Sequence, residues 1–377
     1  MIQTYDVIVV GLGAMGSATA YHLASRGARV LGIDQFAPPH DQGSSHGESR
    51  IIRQLYYEHP LYVPLVQRSY ELWRKLEQDA AQPNLLRITG GLMLGHETSG
   101  LIQGVRRAAE EHRLPFEEIP SSRLQERFPQ FMPSAGMRAV LDPEAGFLDP
   151  ERCIAAHLSL ASAHGAELKM GERVIEWTTV GDGVRVRTTQ GSYEAGKLVL
   201  AAGPWVSELC GNAGPLFSVE KQTVAWFQPP GERSIWTPER FPIFMCEFED
   251  GQLIYGFPLL SRGWKAAVHY QGEAVTNMRD VRRTADAHDL ARVRTALARL
   301  FDWVKEAPLL NSETCFYTNT TDLQFVVDFL PGMPQVLVSS PCSGHGFKFA
   351  CAIGELQAQL LLDGKTSFDM SPFRIDR

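Results

Sequence analysis

The sequence predicts an α/β fold with an α+β insert: a discontinuous domain built on a parallel sheet, interrupted by a domain built on an antiparallel sheet. Three observations predict it. The first 34 residues read as one β-α-β unit, the middle of the chain is rich in strand patterns, and α/β patterning returns near the C-terminal end. At 377 residues the chain exceeds what one core usually supports, which favours two domains. Hydrophobic residues at 44% and charged residues at 21% belong to a globular chain and not to a disordered one. The 36 basic and 43 acidic residues leave a net charge of -7, which argues against a nucleic-acid partner. No run of 18 apolar residues occurs, so no transmembrane helix is expected. The short run Val7 to Val10 follows Asp6, lacks a basic leader and enters a glycine motif, so it does not read as a signal peptide. Cys153, Cys210, Cys246, Cys315, Cys342 and Cys351 show neither CxxC nor metal-type spacing, as expected of free thiols in a cytoplasmic protein. The expectation is a cytoplasmic monomer that handles a small molecule, without metal, membrane or nucleic acid.

Taken in order, Tyr5 to Val10 is a strand whose run Val7 to Val10 suits burial on both faces. Gly11 to Arg26 has helical composition, with Gly27 where a C-terminal cap belongs. Arg29 to Ile33 is the second strand, ending at Asp34, and Ala37 to Gly47 is a loop rich in Pro, Gly, His and Ser. Leu65, Ser69, Leu72, Trp73 and Leu76 form the stripe of an amphipathic helix. A helix from Glu151 to Gly165 precedes strands at Glu172 to Thr178, Gly183 to Thr188 and Lys197 to Ala202. Val219 to Phe227, Phe244 to Glu249, Gln252 to Phe257 and Lys265 to Tyr270 are spaced like an antiparallel sheet. Asp280 to Phe301 reads as a helix, Thr314 to Thr318, Phe325 to Phe329 and Gln335 to Ser339 as strands, and Phe347 to Asp363 as a closing helix. Residues 1–90, 140–215 and 315–377 are expected in the parallel-sheet domain, and 91–139 and 216–314 in the antiparallel one.

Gly11, Gly13 and Gly16 stand between the buried strand and the helix as G-L-G-A-M-G. The first glycine permits a tight turn, the second lets the backbone approach a pyrophosphate, and the third lets helix and strand pack closely. The helix N-terminus then faces the phosphate charge. Asp34 follows at the end of the second strand, where a carboxylate accepts from ribose hydroxyls and disfavours a 2′-phosphate. Strand, glycines, helix, strand and acid in this order predict a dinucleotide site, without separating NAD from FAD.

Other segments narrow the choice. V-V-G-L-G-A-M-G-S (Val9 to Ser17), S-S-H-G-E-S-R-I-I-R (Ser44 to Arg53), Y-G-F-P (Tyr255 to Pro258), C-F-Y-T-N-T (Cys315 to Thr320) and S-G-H-G-F-K (Ser343 to Lys348) lie along the chain, with Lys265 and His269 four residues apart. Over its whole length the sequence resembles the D-amino-acid-oxidase-type flavoproteins, within them the group of monomeric sarcosine oxidase and N-methyltryptophan oxidase. The resemblance implies FAD, bound around Gly11, Gly13, Gly16, Asp34, Ser44, Ser45, His46, Arg50, Val174, Gly203, Gly344, Gly346 and Lys348, with a thioether from Cys315 to the flavin. It implies that Arg50 and His46 lie against the flavin ring. It also implies that Arg53 and Lys348 hold a substrate carboxylate, that Tyr255 walls the cavity, and that His269 and Lys265 act catalytically, Lys265 toward dioxygen.

The residues themselves bear on these roles. Arg50 and Arg53 flank Ile51 and Ile52, which a solvated patch does not need, and three residues apart they would share one side of a helical turn. Lysine is scarce, eight against 28 arginines, yet Lys348 sits between two phenylalanines and Lys265 between Trp264 and Ala266. A buried ammonium costs several kcal/mol unless it serves a purpose or snorkels to solvent. Cys315 also reads as a buried structural thiol, His269 as a core histidine, and Met245 as core packing. The implied activity is oxidation of a secondary amino acid, sarcosine first, by dioxygen to an imine, then an aldehyde, and hydrogen peroxide. A sister oxidase for N-methyltryptophan, L-pipecolate or glycated amino acids, an NAD-dependent dehydrogenase, and an inert flavin-binding protein are the alternatives.

Overall fold

In the computed structural model, which describes residues 3–270 and 272–377, strand β1 (Gln3–Val10) runs parallel to β2 (Val30–Asp34) on one side and to the strand Ser192–Leu200 on the other. Among the described residues the strands form sheets of eight, nine and three members. Glu167–Met170 and Met333–Ser340 extend the parallel core outward on the two sides. Helix α1 (Ala14–Ser25) packs between this sheet and the helices Pro150–Ala163 and Ala350–Asp363, where buried Thr19 donates to Gln357 at 2.7 Å. A strand buried on both faces needs apolar residues throughout, and Val7, Ile8 and Val9 are all buried.

The nine-stranded sheet holds Ser218–Phe227, Ile243–Glu247, Leu253–Leu260 and Gly263–His269, the predicted antiparallel set, joined by Gly91–His96 and Met137–Asp142. Its aromatic core, with Phe131, Phe241, Phe244, Trp264 and Phe301, is separate from that of the parallel sheet. None of the helices among the described residues is long and apolar enough to cross a membrane.

Four expectations change. Helix α1 begins at Ala14, because Gly11 to Gly13 form the turn itself. Arg50–Ile52 is a strand and not a helical turn, since it pairs antiparallel with Gly146–Leu148, so Arg50 and Arg53 do not share a helix face. The helix expected from Asp280 runs only over Ala287–Ala298, where Asp286 and Asp289 form a capping box. The strand carrying Cys315, Leu309–Asn319, pairs along Ser218–Phe227, so the domain boundary expected at 315 falls inside a strand of the antiparallel sheet.

Candidate active site

β1 ends in the turn that makes the first wall of the site. Gly11 holds φ at 89°, and a Cβ there would lie 2.4 Å from the Ala201 carbonyl oxygen. A Cβ on Gly16 would fall 1.7 Å from the Gly11 oxygen, so this glycine sets the close approach of helix and strand without touching the cavity. Gly13 differs: nothing lies within 4 Å of its Cβ position, and it opens onto the cavity. Helix α1 starts with neither a side-chain cap nor an acidic residue in its first turn, so its positive end stays uncompensated. Asp34 is oriented by the amides of Leu12 (2.7 Å) and Phe36 (2.8 Å), which leaves carboxylate lone pairs at the cavity wall.

From Asp34 one cleft, of about 1830 Å³ counted with its mouth, runs to Lys348. Its lining runs from Gly13 and Asp34 at one end to Arg53 and Lys348 at the other, which suits a dinucleotide followed by a small substrate. Ser44, Ser45, Arg50, Val174, Gly203, Gly344 and Gly346 line it. Arg50 donates to the carbonyls of Ser44 (2.7 Å) and Ser49 (2.8 Å), which fixes its guanidinium at the wall. Thr318 Oγ1, on that wall, is buried without a partner among the described residues, the condition of a group that a bound molecule satisfies. The open face at Gly13, the uncapped helix, the carboxylate of Asp34 and this orphaned hydroxyl fit FAD. Cys315 reaches the same cavity; burial pushes its thiol up, and the charges of Arg50 and Lys265 oppose that shift.

The far end is polar and closed. Arg53 Nη2 donates to both carboxylate oxygens of Glu58, at 2.7 and 2.6 Å, while Arg53 Nε has no partner. Its guanidinium lies over the ring of Tyr56 at 4.4 Å, and Lys348 Nζ lies 5.4 Å from the same ring. Burial pushes Glu58 up, but Arg53, His345 and Lys348 outweigh it and hold the carboxyl down to about 2. Lys348 donates to the His345 carbonyl at 2.6 Å, and burial, reinforced by Arg53, lowers its ammonium to about 7. His269 meets the Tyr317 hydroxyl at 2.9 Å, and burial lowers it to about 3, so the imidazole is neutral. Tyr255, Phe257 and Met245 complete an apolar wall, so Met245 reaches the cavity despite its core-packing signature.

Besides Gly16, two further expected residues stand off the cavity wall. Lys265 Nζ donates to Gly47 O (2.6 Å), Ser49 O (2.9 Å) and Ser49 Oγ (3.3 Å), and burial lowers it to about 7. His46 Nδ1 meets Glu313 at 3.2 Å, and Glu313 also pairs with Arg262. Glu58, Tyr56 and Tyr317 were missed by sequence reasoning. Glu58 stands five residues after Arg53, a spacing without a motif, and Tyr317 lay inside a segment read only for its cysteine.

The FAD dependent oxidoreductase family matches residues 6–360. The chain is 40% identical to monomeric sarcosine oxidase of Streptomyces avermitilis over 99% of this chain and 97% of the relative. It is 34% identical to N-methyl-L-tryptophan oxidase of Salmonella dublin, covering 99% of each. Among solved structures it is similar to the open form of NikD, an unusual amino acid oxidase essential for nikkomycin biosynthesis, with a TM-score of 0.84, 26% identity, and 99% and 97% of the two chains covered.

Proposed function

Because the chain belongs to the FAD-dependent oxidoreductase family and is an FAD-dependent amine oxidoreductase, we propose that it oxidises a small secondary amino acid, sarcosine first, with dioxygen as acceptor. The observation that carries this reading is the pair of buried cations, Arg53 and Lys348, on one tyrosine ring at the closed end of the dinucleotide cleft. Such a pair matches a carboxylate: with Arg53 Nη2 committed to Glu58, the unpartnered Nε–H of Arg53 and the Lys348 ammonium are the donors left for it.

Bound in the cleft, FAD would supply a two-electron acceptor for the C–H beside the amine nitrogen and, once reduced, the electron donor for dioxygen. The chain contributes placement. Arg53 and Lys348 hold the carboxylate and Met245, Tyr255 and Phe257 supply an apolar wall, so the reacting carbon is fixed by orientation. Neutral His269 adds no cation beside the amine, in keeping with binding of the uncharged amine. Water hydrolyses the imine product, so sarcosine, dioxygen and water give glycine, formaldehyde and hydrogen peroxide. Cys315 is proposed as the point of covalent attachment of the cofactor, and Lys265 as a fixed positive charge for the dioxygen half of the reaction.

A peroxide assay over sarcosine, N-methyltryptophan, L-pipecolate and a glycated amino acid tests the reading. Sarcosine is expected to turn over best, with formaldehyde equal to peroxide, and activity should climb toward alkaline pH with the neutral amine for as long as the bound carboxylate keeps the Lys348 ammonium, lowered to about 7, protonated. Peroxide only from a bulky amine would overturn the small-substrate assignment, and no peroxide from any would overturn the oxidase.

A further inference from the structure

His345 lies in the turn before Lys348 and is buried at the closed end of the cleft. The Tyr56 hydroxyl meets Nδ1 at 2.6 Å, and Nε2 faces the Leu323 carbonyl at 3.2 Å. A carbonyl only accepts, so Nε2 carries the proton and Nδ1 accepts from Tyr56: one neutral tautomer satisfies both bonds. The ring stacks on Phe325 at 4.7 Å, which fixes its plane. The residue's own carbonyl takes the Lys348 ammonium at 2.6 Å, and the Tyr56 ring that its imidazole anchors carries the Arg53 guanidinium. Both carboxylate-binding cations are therefore tied to one residue that donates to neither.

We infer that His345 is the positioning residue of the carboxylate site, holding Tyr56 under Arg53 and Lys348 through its imidazole and its main chain. This rests on the reading that Arg53 and Lys348 bind a carboxylate. A protonated His345 would lose the acceptor for Tyr56. The charged groups around it, Glu58, Arg53 and Lys348, include two cations, and burial with these cations lowers the imidazole to about 4, which keeps the accepting form at working pH.

The test uses the FAD-loaded enzyme and two amine-free probes of equal shape, propionate and propionamide, read by the change in flavin absorbance. His345→Phe keeps the stack on Phe325 and removes both ring bonds. It is expected to weaken propionate about five- to tenfold, the size of one hydrogen bond, while leaving propionamide binding and FAD content unchanged. His345→Asn, which restores an acceptor for Tyr56, should recover most of that loss. Tyr56→Phe should match His345→Phe, and the double variant should be no worse than either, because the two share one bond. Unchanged propionate binding, equal weakening of both probes, or losses that multiply in the double variant would overturn the inference. If His345→Phe fails to fold, Tyr56→Phe decides alone: a selective loss of propionate supports the inference and no loss overturns it. A wild-type enzyme that binds propionamide as well as propionate would instead overturn the carboxylate reading, and this inference with it.

Discussion

Lys265 shows how a buried charge is tolerated before it is used. Each of its three N–H groups has an acceptor in the Gly47 to Ser49 loop, so the ammonium cannot swing and the same loop carries Arg50 to the cavity wall. A fixed ammonium near reacting dioxygen stabilises developing negative charge without reorganisation. Lys265→Met is therefore expected to slow reaction of the reduced enzyme with dioxygen by roughly 10²–10³-fold and to spare anaerobic reduction by substrate, both read by stopped flow. Lys265→Arg should restore it poorly, since a broad fork is not a compact point charge. Collapse of reduction with normal reoxidation would show that Lys265 serves the substrate side through the loop. Lys265 and Lys348 were legible in the sequence because lysine is rare and both sit among apolar neighbours. Glu58 was not, because a carboxylate paired to a buried arginine leaves no pattern in the chain.

At the scale of elements, the strand Leu309–Asn319 organises the site by alternation. Glu313, Cys315 and Tyr317 share one face: Glu313 meets His46, Cys315 lines the cleft and Tyr317 meets His269. Acid precipitation of the wild-type enzyme should leave yellow colour in the pellet, and Cys315→Ser should release it to the supernatant. Colour that washes out of the wild type would end the covalent assignment and leave the FAD assignment standing. The E-T-C-F-Y-T-N segment reads as a strand from its composition, but its partner Ser218–Phe227 lies about ninety residues away, beyond any local signal. Arg50–Ile52 was misread for the same reason: its pairing with Gly146–Leu148 is a tertiary fact. The helix Gly100–His112 is the opposite case, unassigned although Ser99 caps it and Leu101, Ile102, Val105, Ala108 and Ala109 form its buried stripe.

At the scale of the whole molecule, the cleft lies where the two sheets meet, beside a core that takes Val7 and Val9 from one and Met245 and Phe257 from the other. The parallel sheet supplies Gly13 and Asp34, the end proposed for phosphate and ribose, and the antiparallel sheet supplies Met245, Tyr255, His269 and Cys315. Arg53 and Lys348 come from segments outside both sheets, which lets them close the far end. The β-α-β unit was legible because burial, glycine geometry and the terminal acid all leave marks in the sequence. The meeting of the two sheets was legible only through resemblance, since no local pattern encodes it. The account turns on a carboxylate held by two buried cations, and charge-assisted bonds of that kind contribute about 1.5–3 kcal/mol each. Anaerobic stopped flow measures this directly by comparing how fast sarcosine and its methyl ester bleach the enzyme-bound flavin at equal, subsaturating concentration of neutral amine. The acid should be faster by on the order of 10²-fold or more; equal rates would contradict the account.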